Sequence, residues 1–457
     1  MIRTLSWIFA VVTIALVSAW YSPRCVAEQI TGDVPAVAPT SQATEPSDAA
    51  EAAFSKGDTE GALKILQEAV KKNPELPPAQ VEMARLFAKY NAPAGIRPAL
   101  ERAVMDAPKD PEAYLMLGNV AMAERRVTEG ALLFQKADSL TGDWKAGSKR
   151  KQDILTQIQG GLAMTCEVRN DLTGAQRHIE AWLKLDPKSS VALQRLARCF
   201  FLQKKPTEAL AKLQEAAKLN PELLTPQAIL GQWFAQAGDQ KQANTWMIAA
   251  RNAAPNDAKT RLAVAEWALT NGLNESARKE ADEAIRLDPK SPQAQNLRGV
   301  IALFDKDYPR AERYFLKARD DAPSEMKFNV TNNLAMALVA QNDESKKGHA
   351  LTLAMENARK YPRMVEALST YGWVAYRNGQ LDVAENLLGN LAKNKALTPD
   401  SAYFFACVLK DRGQIEGARQ WLKLSLAIKA PFQYRSEATE LLKSLPEASA
   451  TEKPAAK

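Results

Sequence analysis

The sequence predicts an all-α fold of stacked helix pairs, on three observations. A 34-residue period runs through most of the chain, a proline closes each period, and small and large residues hold fixed distances before that proline. The period shows first in "KLDPKS" (184–189), which returns as "RLDPKS" (286–291) three periods later. Pro187, Pro221, Pro255, Pro289 and Pro323 stand at strict 34-residue intervals, and Pro74 and Pro108 form an earlier pair at the same distance. A period of this length is the mark of a repeat array.

Within each period the elements follow in order. Twenty-four residues before the proline stands a small residue: Ala50, Ala84, Ala163, Ala197, Gly231, Ala265 or Gly299. Eight before it the residue is mostly large and apolar: Leu66, Leu100, Ile179, Leu213, Met247, Ala281 or Phe315. Alanine also occupies six of seven places at twelve residues and six of seven at five residues before the proline. Small residues let two helix axes approach, and large ones fill the space that remains. Gly57, Gly238 and Gly272 recur seventeen residues before their prolines, where a left-handed turn joins the two helices. Proline then ends the second helix through its missing N–H and its clash with the preceding turn.

In this scheme the chain resembles the tetratricopeptide repeat family, whose units are 34-residue helix–turn–helix pairs. Less regular copies extend it: "PEAYLMLGNVA" (111–121), "VTNNLAMALVAQN" (330–342), "VEALSTYGWVAYRNG" (365–379) and "SAYFFACVLKDRG" (401–413). The resemblance implies a right-handed α-solenoid of about eleven repeats, placed here at residues 47–432. Irregular insertions are expected near 145–155 and 343–350. Because each unit buries its apolar face only on its neighbours, the last needs a cover. A capping helix is expected over 433–445, with Tyr434, Ala438, Leu441, Leu442 and Leu445 at helical spacing. The tail 446–457 is too poor in apolar residues to order itself.

Arg3 followed by the uncharged run Leu5–Ala19 resembles a secretory signal peptide and is short for a membrane span. Cleavage is expected after Ala27, before the polar "EQITGD", with Ala19 as the other candidate site and a retained anchor as the alternative. Arg24 beside Cys25 argues against a lipid anchor. Residues 28–46, rich in Pro, Ala, Thr and Ser, read as a flexible linker. The expected localisation is export, to a periplasm or to the medium.

Cleavage after Ala27 would remove two arginines and leave 58 basic residues against 53 acidic ones, a net charge of +5. That excess is small for the length and does not point to nucleic acid. Membrane contact is expected only through an uncleaved N-terminus. The basic knot Lys145, Lys149, Arg150 and Lys151 reads as a solvated insertion. Cys166, Cys199 and Cys407 include no C-x-x-C pair; a bridge between Cys166 and Cys199 stays open, beside the reading of three free thiols.

No catalytic constellation or cofactor motif appears. The two histidines, His178 and His349, lie five repeats apart, and the phosphate-loop, dinucleotide, zinc-protease and nucleophile-elbow motifs are missing. No catalytic residue, metal site or cofactor is therefore expected, and a binding surface remains.

The resemblance implies that the first helices of the pairs line a concave groove that holds a peptide or partner protein. On the last two full repeats the candidates are Ser369, Trp373, Tyr376 and Arg377, then Tyr403, Phe404 and Lys410; an earlier helix adds Asn329, Asn332 and Asn333. Aromatic rings with a nearby arginine have the composition of interface anchors, although the same rings can pack as core. The asparagines lack the neighbouring Lys and Arg of the family's carboxylate clamp. Two functional readings stay open: an exported, non-catalytic scaffold in envelope assembly, or a regulatory or substrate-presenting subunit of an envelope enzyme or secretion complex. Oligomeric state is open as well.

Overall fold

A computed structural model describes residues 45–428 and 432–446. The expected signal peptide, nearly all of the linker and almost all of the C-terminal tail lie outside the described residues. The described chain divides into two compact units between Pro226 and Gln227. The first holds five helix pairs: α1 (Glu45–Ser55) with α2 (Thr59–Lys72), α3 (Ala79–Lys89) with α4 (Ile96–Asp106), α5 (Pro111–Ala123) with α6 (Val127–Ser139), α7 (Ser148–Val168) with α8 (Leu172–Leu185), and α9 (Ser190–Leu202) with α10 (Pro206–Leu219).

Six pairs make up the second unit. These are α11 (Pro226–Gln236) with α12 (Gln240–Ala253), α13 (Ala258–Thr270) with α14 (Asn274–Leu287), α15 (Pro292–Phe304) with α16 (Tyr308–Asp321), α17 (Ser324–Ala340) with α18 (Glu344–Lys360), α19 (Val365–Arg377) with α20 (Leu381–Lys393), and α21 (Pro399–Asp411) with α22 (Ile415–Ala427). A last helix, α23 (Arg435–Ser444), packs against α22. The chain is an all-α solenoid of eleven pairs, with no strand among the described residues.

The repeat chemistry explains each joint. All seven residues that stand seventeen before a periodic proline have positive φ: Gly57 (87°), Gly238 (81°) and Gly272 (71°), but also Asn91, Asn170, Lys204 and Lys306 at 53–64°. Four of the turns thus spend strain that glycine would avoid. Asp58, Asp171, Asp239 and Asp307 follow that residue at once and cap the second helix, accepting at 2.7–3.2 Å from the backbone N–H three residues on. Within a pair the small residue of the first helix faces the large one sixteen residues later. A Cβ on Gly299 would stand 2.5 Å from the ring of Phe315, which is fully buried.

Both expected insertions are largely helical. Residues 148–155 form the first turns of α7, 21 residues long, and Asp343 caps the 17-residue α18 by accepting from the N–H of Ser345 and of Lys346. Nor is the basic knot wholly solvated. Arg150 donates to Glu112 (2.6 and 3.0 Å), to Asp110 (2.8 Å) and to the carbonyls of Glu75 and Leu76, with its guanidinium 4.8 Å from the Trp144 ring centre. Arg85 bonds the other oxygen of buried Glu112, so the carboxylate is shared by two arginines. Lys145 and Lys149 are exposed as expected. The three described cysteines are free thiols, Cys199 and Cys407 buried and Cys166 half-buried.

Candidate functional site

The first helices of the last three pairs, α17, α19 and α21, bring most of the expected residues to one face. Asn332 and Met336 from α17, Glu366, Ser369 and Thr370 from α19, and Asp400 and Phe404 from α21 line one small cavity, joined by Thr398. Its volume is about 40 Å³, room for two or three water molecules on the usual scale. The chain itself completes the lining with Gln433 and Tyr434, at the start of α23.

Rings dominate the neighbourhood. Trp373 is stacked between Phe404 (centres 4.4 Å apart, planes at 16°) and Tyr376 (5.4 Å, 24°). Tyr434 lies parallel to Tyr403 at 5.3 Å and edge-on to Trp373 and Phe404 at 5.7 and 5.2 Å. Offset stacks and edge-to-face pairs in this range are the favourable aromatic geometries. In consequence Trp373, Phe404 and Tyr403 are 3%, 3% and 9% exposed, covered by their own chain rather than open to a groove. Of the two readings of these rings, core or open anchor, the described residues show packing: Tyr434, in the turn that leads into α23, lies against them.

The remaining candidates divide. Asn333 is buried and donates to Asn296 at 3.2 Å, tying α17 to α15. Asn329 is half-buried and outside the cavity lining. Tyr376 donates its hydroxyl to Asp411 at 2.6 Å, and Lys410 pairs with the other oxygen of that carboxylate at 2.9 Å. Burial and the Asp411 bond push the Tyr376 phenol up. Arg377 donates to Asn342 at 3.2 Å with its guanidinium 5.5 Å from the Trp373 ring centre. Tyr376, Arg377 and Lys410 thus form a half-exposed polar margin beside the ring cluster.

Asp400, Glu366, Gln433 and Tyr434 were missed in the sequence. The helical spacing of the sequence makes Tyr434 the first apolar position of the capping helix, and Ala438 and Leu445 on that stripe are buried. It stands at the N-cap of α23 instead, with its ring in the cage. Two aromatics within three residues after the last repeat, Phe432 and Tyr434, were the available signal. Asp400 accepts the Gln433 N–H at 3.2 Å, and burial raises its carboxyl to about 7 against the opposing backbone bonds. Several buried polar atoms here have no hydrogen-bond partner: Asn332 Oδ1, Ser369 Oγ and Gln433 Nε2. The Tyr434 hydroxyl and the Trp373 indole N–H face one another without closing a bond. Outside the cavity Lys306, in the turn between α15 and α16, pairs with Glu437 of α23 at 2.6 Å.

No group of three His, Cys, Asp or Glu side chains among the described residues is placed to hold a metal ion. Also among the described residues, no helix is long and apolar enough to cross a membrane.

Comparison with known proteins bears on the fold. The family model for the tetratricopeptide repeat matches residues 97–143, 168–223 and 262–325. Among solved structures, PilW, a widely conserved type IV pilus biogenesis factor, is 18% identical, with 48% of this chain and 96% of PilW covered, at a TM-score of 0.38. A tetratricopeptide repeat protein from Parabacteroides merdae is 14% identical, covering 63% and 98%, at 0.38. Yeast Tom70 is 14% identical, covering 87% and 94%, at 0.34. Among curated proteins none matches the chain.

Proposed function

We propose that this chain, three stretches of which match the tetratricopeptide repeat model, is a non-catalytic scaffold whose last repeats hold a short segment of a partner protein along α17, α19 and α21. Repeat arrays of this kind serve protein–protein interaction, because their stacked first helices form long continuous surfaces. One observation carries the reading: the face where Ser369, Trp373, Tyr403 and Phe404 converge already takes a short stretch of the chain's own backbone, Phe432–Tyr434, at the turn into α23. A face that fits one short stretch of chain has the ring anchors to fit another. Asn332 borders it, with Asn329 and Asn333 on the same helix as further candidates, and Tyr376, Arg377 and Lys410 form its open polar margin.

The experiment is photo-crosslinking in the native host, with a crosslinking amino acid placed singly at Arg377, at Lys410, and at the exposed back-helix residues Met355 and Leu424. The reading expects one partner captured from Arg377 and Lys410 and absent from Met355 and Leu424. Capture from the back helices alone would overturn it.

For localisation the supporting feature is the N-terminal sequence, Arg3 followed by the apolar run to Ala19, and the proposal is export with a role at the cell envelope. Mass spectrometry of the native protein should find a new N-terminus at or near Glu28. Retention of Met1 would mean an anchored form instead.

A further inference from the structure

We propose that the stretch Phe432–Tyr434 sits in the seat of the partner segment, and that the segment which replaces it carries an aromatic residue preceded by lysine or arginine. The inference rests on the scaffold reading above and adds to it the chemistry of the ligand and a self-blocking contact.

The aromatic requirement comes from the cage. Tyr403 offers a parallel face to the Tyr434 ring, while Trp373 and Phe404 meet it edge-on. An aliphatic side chain would forgo all three ring contacts. The backbone of the turn is held one residue earlier, where the Gln433 N–H donates to Asp400 Oδ1.

The basic requirement comes from what the chain's own segment leaves unsatisfied. Its apolar fit is complete, with Phe432 and Tyr434 buried. Its polar fit is not: the Gln433 amide nitrogen is buried without an acceptor, although Glu366 and Asp400 line the same cavity. Among the described residues neither carboxylate has a salt bridge, and no Lys or Arg lines the cavity. Nearby cations are engaged elsewhere, Lys410 with Asp411 and Lys306 with Glu437. Burial also drives the Asp400 carboxyl upward, the response of an acid that lacks a cation. A lysine or arginine in the place of Gln433 supplies that cation and removes the orphaned amide. A covalently attached segment competes at an effective concentration of millimolar order, so a free segment needs such an added contact to displace it.

The test uses the full chain and fluorescein-labelled peptides spanning residues 432–445, one with the native sequence and one with Gln433→Lys, read by fluorescence anisotropy. Tyr434→Ala in the protein frees the cage of its own ring. That variant is expected to bind the Gln433→Lys peptide about tenfold more tightly than the native peptide, and the wild-type chain to bind both at least about tenfold more weakly. Adding Asp400→Asn should erase the preference. Equal affinity for the two peptides overturns the basic requirement, and no binding by a folded Tyr434→Ala chain overturns the seat.

A second arm does not depend on that variant folding. Gln433→Lys in the otherwise native chain should raise Tm, and should fail to do so beside Asp400→Asn; an unchanged or lower Tm overturns the inference. Dimers formed by exchange of the segment, seen by size-exclusion chromatography, would overturn a foreign occupant. If peptides fail while crosslinking from Arg377 succeeds, this inference falls and the scaffold stands. If peptides bind but crosslinking from that face fails, the scaffold reading falls and the seat serves only its own chain.

Discussion

Removing one ring, that of Tyr434, should release the C-terminal helix without unfolding the repeats beneath it. An aromatic side chain buries roughly 150–250 Å², and at about 25 cal/mol per Å² that is at most ~4–6 kcal/mol. Tyr434 is 6% exposed, so nearly the whole ring counts. Against this, its hydroxyl faces the Trp373 N–H without closing a bond, a desolvation cost of about 1–3 kcal/mol. The net expectation for Tyr434→Ala is about 3 kcal/mol lost from the docking of α23. Hydrogen exchange reads this locally: amides of α23 should exchange about 100-fold faster, at ~1.4 kcal/mol per factor of ten, while those of α19 stay protected. Tyr434→Phe keeps the ring and drops the under-bonded hydroxyl, so its exchange should stay within about threefold of wild type. Unchanged exchange in α23, or joint loss of protection in α19 and α21, would refute the reasoning. The rings would then be one indivisible core.

Three further outcomes follow from the packing and the charges. Gly299→Ala should cost about 2–3 kcal/mol, because its Cβ meets the fully buried Phe315 ring at 2.5 Å, whereas Gly231→Ala should be near neutral, because it meets the flexible Met247 at 3.1 Å; equal thermal melting of the two would contradict the interlock. Arg150→Lys should cost about 2 kcal/mol by thermal denaturation, since an ammonium cannot serve Glu112, Asp110 and two carbonyls while lying over Trp144; a neutral effect would return that residue to the solvent. The third concerns pH. With its folded carboxyl raised to about 7 and an ordinary unfolded one near ~3.9, Asp400 carries a proton in the folded state that the unfolded chain has lost. Stability therefore rises as pH falls from 8 towards 5 and drops as pH climbs through 7. Burial moves Glu266 in the same direction, so Asp400→Asn should flatten the Tm-versus-pH slope only in part. An unchanged slope would mean that Asp400 meets ample solvent.

The 34-residue spacing of the prolines, the small residue matched to a large one sixteen positions later, and Gly57, Gly238 and Gly272 were legible because each acts within a helix pair. Short-range chemistry leaves a short-range pattern. The same turn is made by Lys204 and Lys306 in the left-handed region, and those residues carry no such mark, since stacked neighbours rather than propensity hold them there. Residues of the candidate face were partly legible too: Ser369, Trp373, Tyr403 and Phe404 do converge, because their helices repeat the same register.

By itself the sequence determined the helices, their pairing and their number, through contacts between residues close along the chain. Only the tertiary structure decided that Arg150 is drawn into a buried charge network with Glu112, and that Phe432–Tyr434 lies over the rings of α19 and α21. Those contacts join residues dozens of positions apart, with no period to announce them. Their partners become neighbours only after the intervening helices have stacked, so the free energy of burying a ring or pairing a charge selects them late and leaves no local signature.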